Sequence, residues 1–236
     1  MKTVLLSAFP ITILLSSCGN KPQPDESQNS VTPTETVSAS VMVDTTLNQL
    51  YVIEVWETEP TLVDSTLSSL PETNDNANLE QRLVLKARND ERVVQITTWN
   101  SDKAAEDYAS DKPSYEDYKV LTSKVANYGA KDATPATIDA GSSVQYSEFI
   151  MKRKPAMDTL STIVKGMTGA MAQSEPTLDY IMTLNSTDSS TISLFGAWNT
   201  EEGFEVFTQN NTFGDQPYWE PYAENEHHMF EVVIAQ

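Results

Sequence analysis

The stretch that decides the fold occurs twice: residues 97–108 read TTWNSDKAAEDY, and residues 196–207 read GAWNTEEGFEVF. The two Trp-Asn pairs, Trp99-Asn100 and Trp198-Asn199, lie 99 residues apart. In each copy, residues typical of strands lead up to the tryptophan, and small polar residues that cap helices follow it. A repeat of this length indicates a duplicated module, since the units of solenoid proteins are shorter.

The elements around the first copy follow from residue type and spacing. β-branched and aromatic residues predict strands at 49–56, 82–86 and 92–99. Apolar residues at helical spacing predict a helix over 61–70, and Asn100 or Ser101 caps a second helix that carries Tyr108. The fourth strand is poorly marked, because residues 131–143 contain Ile138 as their single large aliphatic residue.

The second copy repeats this order of elements. Strands are expected at 147–152, 178–184, 191–198 and 230–234. A long helix begins at Pro155, and a second helix is capped by Asn199 or Thr200. Each copy is thus β-α-β-β-α-β, the ferredoxin-like motif. We predict an α+β protein with two tandem ferredoxin-like modules, residues 46–143 and 144–236, which pair with each other as a pseudo-dimeric α/β barrel because each sheet has one face in need of cover.

The N-terminus has the features of an exported protein. The apolar run 4–15 is shorter than the roughly 20 residues that span a bilayer, so residues 1–17 are interpreted as a signal peptide. Residues 15–18, Leu-Ser-Ser-Cys, resemble the bacterial lipobox, which implies cleavage before Cys18 and lipidation of its thiol. The alternative is an ordinary signal peptide with a chance cysteine. Residues 18–45, rich in Ser, Thr and Pro, are predicted to be a disordered tether.

The composition of the chain narrows the classes of partner that it can bind. Acidic residues number 34 against 15 basic ones, for a net charge of −19, which argues against nucleic-acid binding. The single Cys excludes an intramolecular disulfide and a Cys-based zinc site, and we expect no metal and no cofactor. Lipid on Cys18 would supply the membrane attachment without any basic patch. The residue directly after Cys18 is Gly19 and not Asp, which resembles lipoproteins sorted to the outer membrane, so the expected location is the bacterial cell envelope.

The two copies together resemble a known family. A strand that ends in Trp, followed by a polar residue, a small capping residue and an acidic helix start, is similar to the antibiotic biosynthesis monooxygenase-like modules of the dimeric α/β-barrel superfamily. The resemblance covers residues 47–236. It implies a pocket associated with the barrel. Some members of the family oxidise polycyclic aromatics without a cofactor, and others degrade haem.

One departure from the family pattern bears on haem. Many members carry a His nine positions after the Trp, where this chain has Tyr108 and Phe207. The first strands contribute Glu54 and Glu148 among their polar positions, where haem degraders often have an Asn. The resemblance therefore implies that the haem ligand is missing from both copies.

Aromatic residues are the leading candidates for a ligand pocket. Trp99 and Trp198 either pack in the core or form a wall of the barrel pocket. The cluster at 218–222 either pins a loop to the barrel rim or covers an apolar ligand. The predicted pocket consists of Trp99, Trp198, Tyr108, Phe207, Tyr218, Trp219 and Tyr222.

His227 and His228 are the catalytic candidates. They precede the predicted last strand, and neighbouring residues of a strand point to opposite faces, so at most one can face a pocket. Either both belong to a solvated strand start, or one acts with Glu226 or Glu220 as a proton acceptor or binds a metal weakly.

Three functions remain open at this stage. The first is an envelope lipoprotein that binds a small apolar or aromatic ligand without catalysis. The second is a cofactor-independent monooxygenase acting on an aromatic substrate, in which the protein supplies a dry pocket, a base and orientation. The third is a structural envelope protein.

Overall fold

A computed structural model describes residues 40–42, 49–70, 76–89, 91–113, 115–130, 137–153, 156–210 and 218–236. The predicted signal peptide, Cys18 and residues 19–39 lie outside the described residues, so processing and lipidation stay predictions.

Ten strands and four helices make up the described chain. The strands are β1 (Ser40–Met42), β2 (Leu50–Glu57), β3 (Leu79–Ala87), β4 (Arg92–Trp99), β5 (Tyr118–Ala130), β6 (Thr137–Asp139), β7 (Ser143–Met151), β8 (Leu178–Ser186), β9 (Thr191–Trp198) and β10 (Ala223–Ala235). The helices are α1 (Val63–Ser69), which follows a short 3-10 turn, α2 (Asp102–Ser110), α3 (Met157–Ser174) and α4 (Glu201–Asn210).

Eight of these strands form a closed antiparallel barrel. Their order around the barrel is β10-β3-β4-β2-β5-β8-β9-β7, and β7 pairs with β10 to close it. Residues 50–130, here the first half, and residues 143–235, the second half, place their four strands in the same relative order. The predicted α+β class is therefore confirmed, with an antiparallel barrel and few helices.

The barrel interior is packed with side chains. Alternate residues of each strand point inward, as the two-residue period of a strand requires, and form one large apolar cluster that includes Ile53, Tyr146 and Phe230. A small interior cavity, lined in part by Tyr51 and Thr98, measures about 20 Å³, room for one water molecule. The expectation that the tryptophans form the wall of a pocket inside the barrel is wrong, because the interior is filled.

The outer face of each half is covered by its helices. In the second half, α3 and α4 bury an apolar cluster that includes Phe149, Leu160 and Trp198. In the first half, Trp99 lies beneath α2. Both tryptophans therefore anchor the helix that follows their strand, and both are less than 5% exposed.

Capping of the helices agrees with the sequence. The Ser101 hydroxyl accepts a hydrogen bond from the backbone N–H of Ala104 at 3.2 Å, and the Thr200 hydroxyl accepts one from Gly203 at 3.1 Å. Of the two cap candidates at each site, the structure thus favours the second.

The larger differences from the predicted elements concern three strands. The fourth strand of the first half is β5, which ends before 131–143, and its Lys and Ser residues hid the pattern. The last strand begins at Ala223, because β10 pairs with β7 along its whole first part, so His227 and His228 lie inside it. Within the predicted tether, Ser40–Met42 forms a strand by pairing with β6.

Candidate functional site

The main candidate cavity lies outside the barrel, on the helical side of the second half. It is formed between α3 and the turn at 218–222, and its volume is about 860 Å³. Its lining is mainly aromatic and aliphatic, and Glu220 is the single charged residue in the described part of that lining. The apolar members of the lining are Ile163, Met167, Ala170, Met171, Phe207, Tyr218, Trp219, Pro221 and Tyr222.

A smaller cavity, here the inner chamber, continues from the first toward the sheet. Its volume is about 160 Å³, and it shares Met167, Met171, Phe207 and Trp219 with the outer cavity. The chamber adds polar groups to this apolar wall, most of them from the sheet. These groups are Gln145 and Ser147 of β7, Thr208 of α4, and Asn225 and His227 of β10.

Aromatic stacking holds the chamber wall. The Trp198 ring lies 5.4 Å from Phe204 and 5.3 Å from Phe207, centroid to centroid. Trp219 packs edge-on against Phe149 at 5.6 Å. Large rings whose positions are fixed by neighbouring rings make a rigid apolar surface.

The structure brings together five of the seven predicted pocket residues. Phe207, Tyr218, Trp219 and Tyr222 line the outer cavity, and Trp198 stands directly behind Phe207. The remaining two, Trp99 and Tyr108, stack on each other in the first half, 4.5 Å apart, and line neither cavity. Grouping all seven in one pocket is therefore wrong, because the helical faces of the two halves belong to separate clusters.

The two histidines point to opposite faces of β10, as expected. His227 lines the inner chamber, and neither of its ring nitrogens hydrogen bonds to a residue that the structure describes. His228 points toward the barrel interior, and its Nδ1 lies 3.4 Å from the Asn89 side-chain nitrogen. Burial, followed by the nearby charge of Arg92, lowers the pKa of His228 below its usual value.

In the first half, the corresponding space under the helices is filled by a polar network around Glu54. The Glu54 carboxylate is 1% exposed and accepts hydrogen bonds from Tyr108, Tyr118 and Gln95. The Lys112 ammonium lies 3.2 Å from the carboxylate and 3.9 Å from the centre of the Tyr108 ring. Burial and the Glu54 charge raise the pKa of Tyr108 well above its usual value, which keeps this hydroxyl a donor.

A second buried carboxylate, Glu148, lies inside one mouth of the barrel. It pairs with Lys119 at 2.8 Å and accepts a hydrogen bond from the Tyr146 hydroxyl at 3.1 Å. Arg92 bridges this mouth by pairing with Glu226 at 2.9 Å. Glu54 and Glu148 are both polar residues of the first strand of their half, but they point to opposite faces of the barrel wall because their positions in the strand register differ by one residue.

Two further observations concern metal-binding clusters and membrane-spanning helices. Within the described ranges, no cluster of three or more His, Cys, Asp or Glu side chains is arranged to hold a metal ion. None of the helices in those ranges has the length and apolar character needed to cross a bilayer.

Comparisons with known proteins identify relatives by fold. No protein-family model matches the chain, and no match was found among curated proteins. Among solved structures, an anthrone oxidase-like protein superposes with a TM-score of 0.68 at 13% identity, over 83% of this chain and 96% of its own. The chain therefore shares its fold with that protein.

Two other solved structures align with lower scores. One is a ferredoxin-fold protein related to antibiotic biosynthesis monooxygenases from Listeria monocytogenes 4b F2365, with a TM-score of 0.42, 10% identity, and coverage of 79% of this chain and 95% of that one. The other is a heme-degrading enzyme from Listeria monocytogenes, with a TM-score of 0.37, 9% identity, and coverage of 77% and 98%.

The polar residues of the inner chamber were missed from the sequence. Gln145, Ser147 and Asn225 carry no motif, and they meet only because β7 and β10 pair when the barrel closes. The alternation of Gln145 and Ser147 with buried apolar residues was the one available signal, since it marks two polar groups on one face of a strand.

Proposed function

We propose that this chain is a lipid-anchored protein of the bacterial cell envelope whose second half binds a small apolar or aromatic molecule without transforming it. The observation that carries the proposal is the outer cavity of about 860 Å³, which lies within the size range of small-molecule sites. Its aromatic and Met-rich lining suits a large apolar body, and the inner chamber offers a few neutral polar groups beneath it.

The charge of the site restricts the ligand. Among the residues that the structure describes, no Lys or Arg lines either cavity, and Glu220 is the one charged residue in the two linings. An anionic ligand would find no counter-charge there, so a neutral molecule is favoured. Anthrone, named in the description of the structure that shares the fold, is a neutral tricyclic aromatic ketone and has this chemistry.

The binding test uses anthrone and the purified full-length chain under nitrogen, with quenching of tryptophan fluorescence as the signal. The matched variants are Gly166→Trp and Gly166→Ala. Gly166 lines the outer cavity on α3, and a methyl group built there meets no atom within 4 Å. Both substitutions raise helix propensity, so neither should impair folding.

We expect saturable binding to the wild type and to Gly166→Ala, and at least about tenfold weaker binding to Gly166→Trp, whose ring would occupy the cavity. Equal binding by all three proteins would place the ligand elsewhere and contradict the proposed site. No saturable binding by any of them would favour a structural envelope protein.

A second candidate function, cofactor-independent oxygenation, is favoured by one observation: His227 lines the chamber with both ring nitrogens available. His227 would accept a proton from the ring carbon opposite the ketone, and the resulting anion would reduce dioxygen. The overall reaction, anthrone plus O₂ giving anthraquinone plus water, is balanced. Oxygen uptake that requires the protein and is lost in His227→Phe would favour this candidate over binding alone.

The membrane anchor is proposed from the lipobox-like residues 15–18. Cys18→Ala should release the chain from the membrane fraction or block its processing, because the lipid supplies the attachment. Unchanged membrane association would contradict the anchor.

The proposal also includes the origin of the barrel as two tandem modules that pair with each other. It is supported by the repeated β-α-β-β-α-β order and by the recurring strand order in the two halves. In each half the last strand pairs with the second strand of the other half, β5 with β8 and β10 with β3.

A further inference from the structure

Three side chains form a hydrogen-bonded chain that ends at the inner chamber. The Trp198 indole N–H donates to Gln145 Oε1 at 3.3 Å, and Gln145 Nε2 donates to Ser147 Oγ at 2.8 Å. All three side chains belong to residues less than 8% exposed. Gln145 and Ser147 lie two residues apart on β7 and therefore share the face that lines the chamber.

The direction of this chain follows from the chemistry of its first member. An indole N–H can only donate, so it requires the carbonyl oxygen of the Gln145 amide to face it. The NH₂ group of that amide then faces Ser147, whose oxygen must accept. The Ser147 hydroxyl proton has no acceptor among the described residues, so it remains available to donate into the chamber.

The surroundings of Ser147 suit a ligand oxygen. His227 is the residue directly opposite Ser147 in the β7–β10 pairing, and both side chains line the chamber. Cross-strand neighbours of this kind have Cβ atoms about 5 Å apart, so one ligand atom can contact both side chains. The chamber lining contains no carboxylate that would compete for the Ser147 proton.

The first half shows that this arrangement is not a requirement of the fold. There the Trp99 indole N–H donates to the Thr97 hydroxyl, two residues earlier on the same strand, at 3.1 Å. The matching position in the second half is Gly196, which has no side chain. A Cβ atom built at Gly196 would lie 3.5 Å from the Trp198 indole nitrogen, so the absence of a side chain leaves the indole free to reach Gln145.

We propose that Ser147 is a specificity-determining residue that donates a hydrogen bond to a carbonyl or phenolic oxygen of the ligand, and that Gln145 and Trp198 are the positioning residues that aim its proton. This inference rests on the proposed ligand site and adds the chemical class of ligand: an apolar ring system with one acceptor oxygen directed at the sheet.

The test compares two ligands of the same shape, anthrone and 9,10-dihydroanthracene, in which a CH₂ group replaces the carbonyl. The measured quantity is the ratio of their dissociation constants, which cancels general damage to the cavity. Ser147→Ala should reduce the preference for anthrone about three- to tenfold, the effect of one lost hydrogen bond. Trp198→Phe should reduce it less, because the freed amide can take either orientation.

Ser193→Ala is the matched control. Ser193 is also a buried serine of the barrel wall, but its hydroxyl lies 3.2 Å from the Tyr146 hydroxyl and it lines neither cavity, so its removal should leave the ratio unchanged. If both ligands bind the wild type equally, or if Ser147→Ala keeps the preference, the inference is overturned while the ligand site stands. If neither ligand binds the wild type, the proposed function fails together with it.

Discussion

The helical faces of the two halves occupy the same place in the barrel and differ in what fills them. The pairing registers place Glu54, Gln95 and Val120 of the first half where the second half has Ser147, Leu194 and His227. In the first half these positions and their neighbours form a closed network around a buried carboxylate. In the second half they border an open chamber.

This difference shows that the arrangement of strands, which the two halves share, does not by itself create a ligand site. A buried carboxylate must be surrounded by donors, and the aromatic hydroxyls and the ammonium group that satisfy Glu54 also fill the space beneath α2. Ser147 needs few partners, so its half can leave a cavity. The longer helix α3, 18 residues against seven in α1, supplies the opposite wall of that cavity.

The largest effect is expected from breaking the network of the first half. Glu54→Leu removes the acceptor shared by two tyrosines, a glutamine and a lysine, and should lower the free energy of unfolding by about 3–5 kcal/mol. Ser147→Ala, at the matching position, removes one neutral hydrogen bond and should cost about 1 kcal/mol. Urea denaturation followed by circular dichroism measures both values.

The surface variant Glu106→Ala on α2 serves as the control for loss of a carboxylate, and its effect should stay within about 0.5 kcal/mol. If Glu54→Leu and Ser147→Ala destabilised the protein equally, the contrast between a sealed half and an open half would be refuted.

A smaller effect is expected where the helix after each tryptophan meets the sheet. Gly203 of α4 and Ala104 of α2 both lie five residues after their tryptophan. A Cβ atom at Gly203 would lie 2.6 Å from the Cβ of Thr177, a clash that overpacks the site. Gly203→Ala should therefore lower the free energy of unfolding by about 1–2 kcal/mol, even though alanine favours the helix more than glycine does.

The clash explanation has its own check. Adding Thr177→Gly to Gly203→Ala removes the opposing side chain. Once the cost of Thr177→Gly alone is subtracted, the double variant should regain most of the stability that Gly203→Ala lost. A Gly203→Ala variant as stable as the wild type would show that α4 can shift to accept the methyl group. In that case α4 and α2 would not differ in how closely they pack at this position.

Much of the fold could be predicted because the informative residues are local. The Trp-Asn repeat predicted both ends of β4 and of β9 correctly, because a strand of buried side chains ends where the cap of the next helix begins. The helix starts at Ser101 and Thr200 followed from short-range capping chemistry. The strand β5 was missed because its polar residues lie at a seam of the closed barrel, where pairing with β8 rather than apolar alternation fixes the strand.

The site was predicted less well because it depends on strand pairing. Aromatic type alone placed Phe207, Tyr218, Trp219 and Tyr222 correctly in one group, since large rings near one turn tend to share a surface. It could not separate Trp99 and Tyr108 from that group, because which half a ring packs against is decided by the sheet. The contact between Ser147 and His227 required the register of β7 against β10, which no local pattern encodes.

The smallest effect is expected inside the barrel, where the second half has His228 and the first half has Leu121 at the matching position. Arg92, His227, Glu226 and Glu57 are the charged or titratable groups that act on His228, and burial, followed by the nearby charge of Arg92, lowers its pKa in the folded state. Because the unfolded chain binds a proton at His228 at a higher pH than the folded chain does, stability falls as the pH drops below about 6.5.

The pKa of Glu226 is also lowered, by the hydrogen bond from Arg92, which predicts a further loss of stability below about pH 4.5. His228→Leu should remove the first loss, a change in Tm of no more than about 2 °C between pH 7.5 and 5.5, and leave the second in place. Thermal melts across this range that gave the same slope for the variant and the wild type would assign the acid sensitivity to other groups of the barrel mouth.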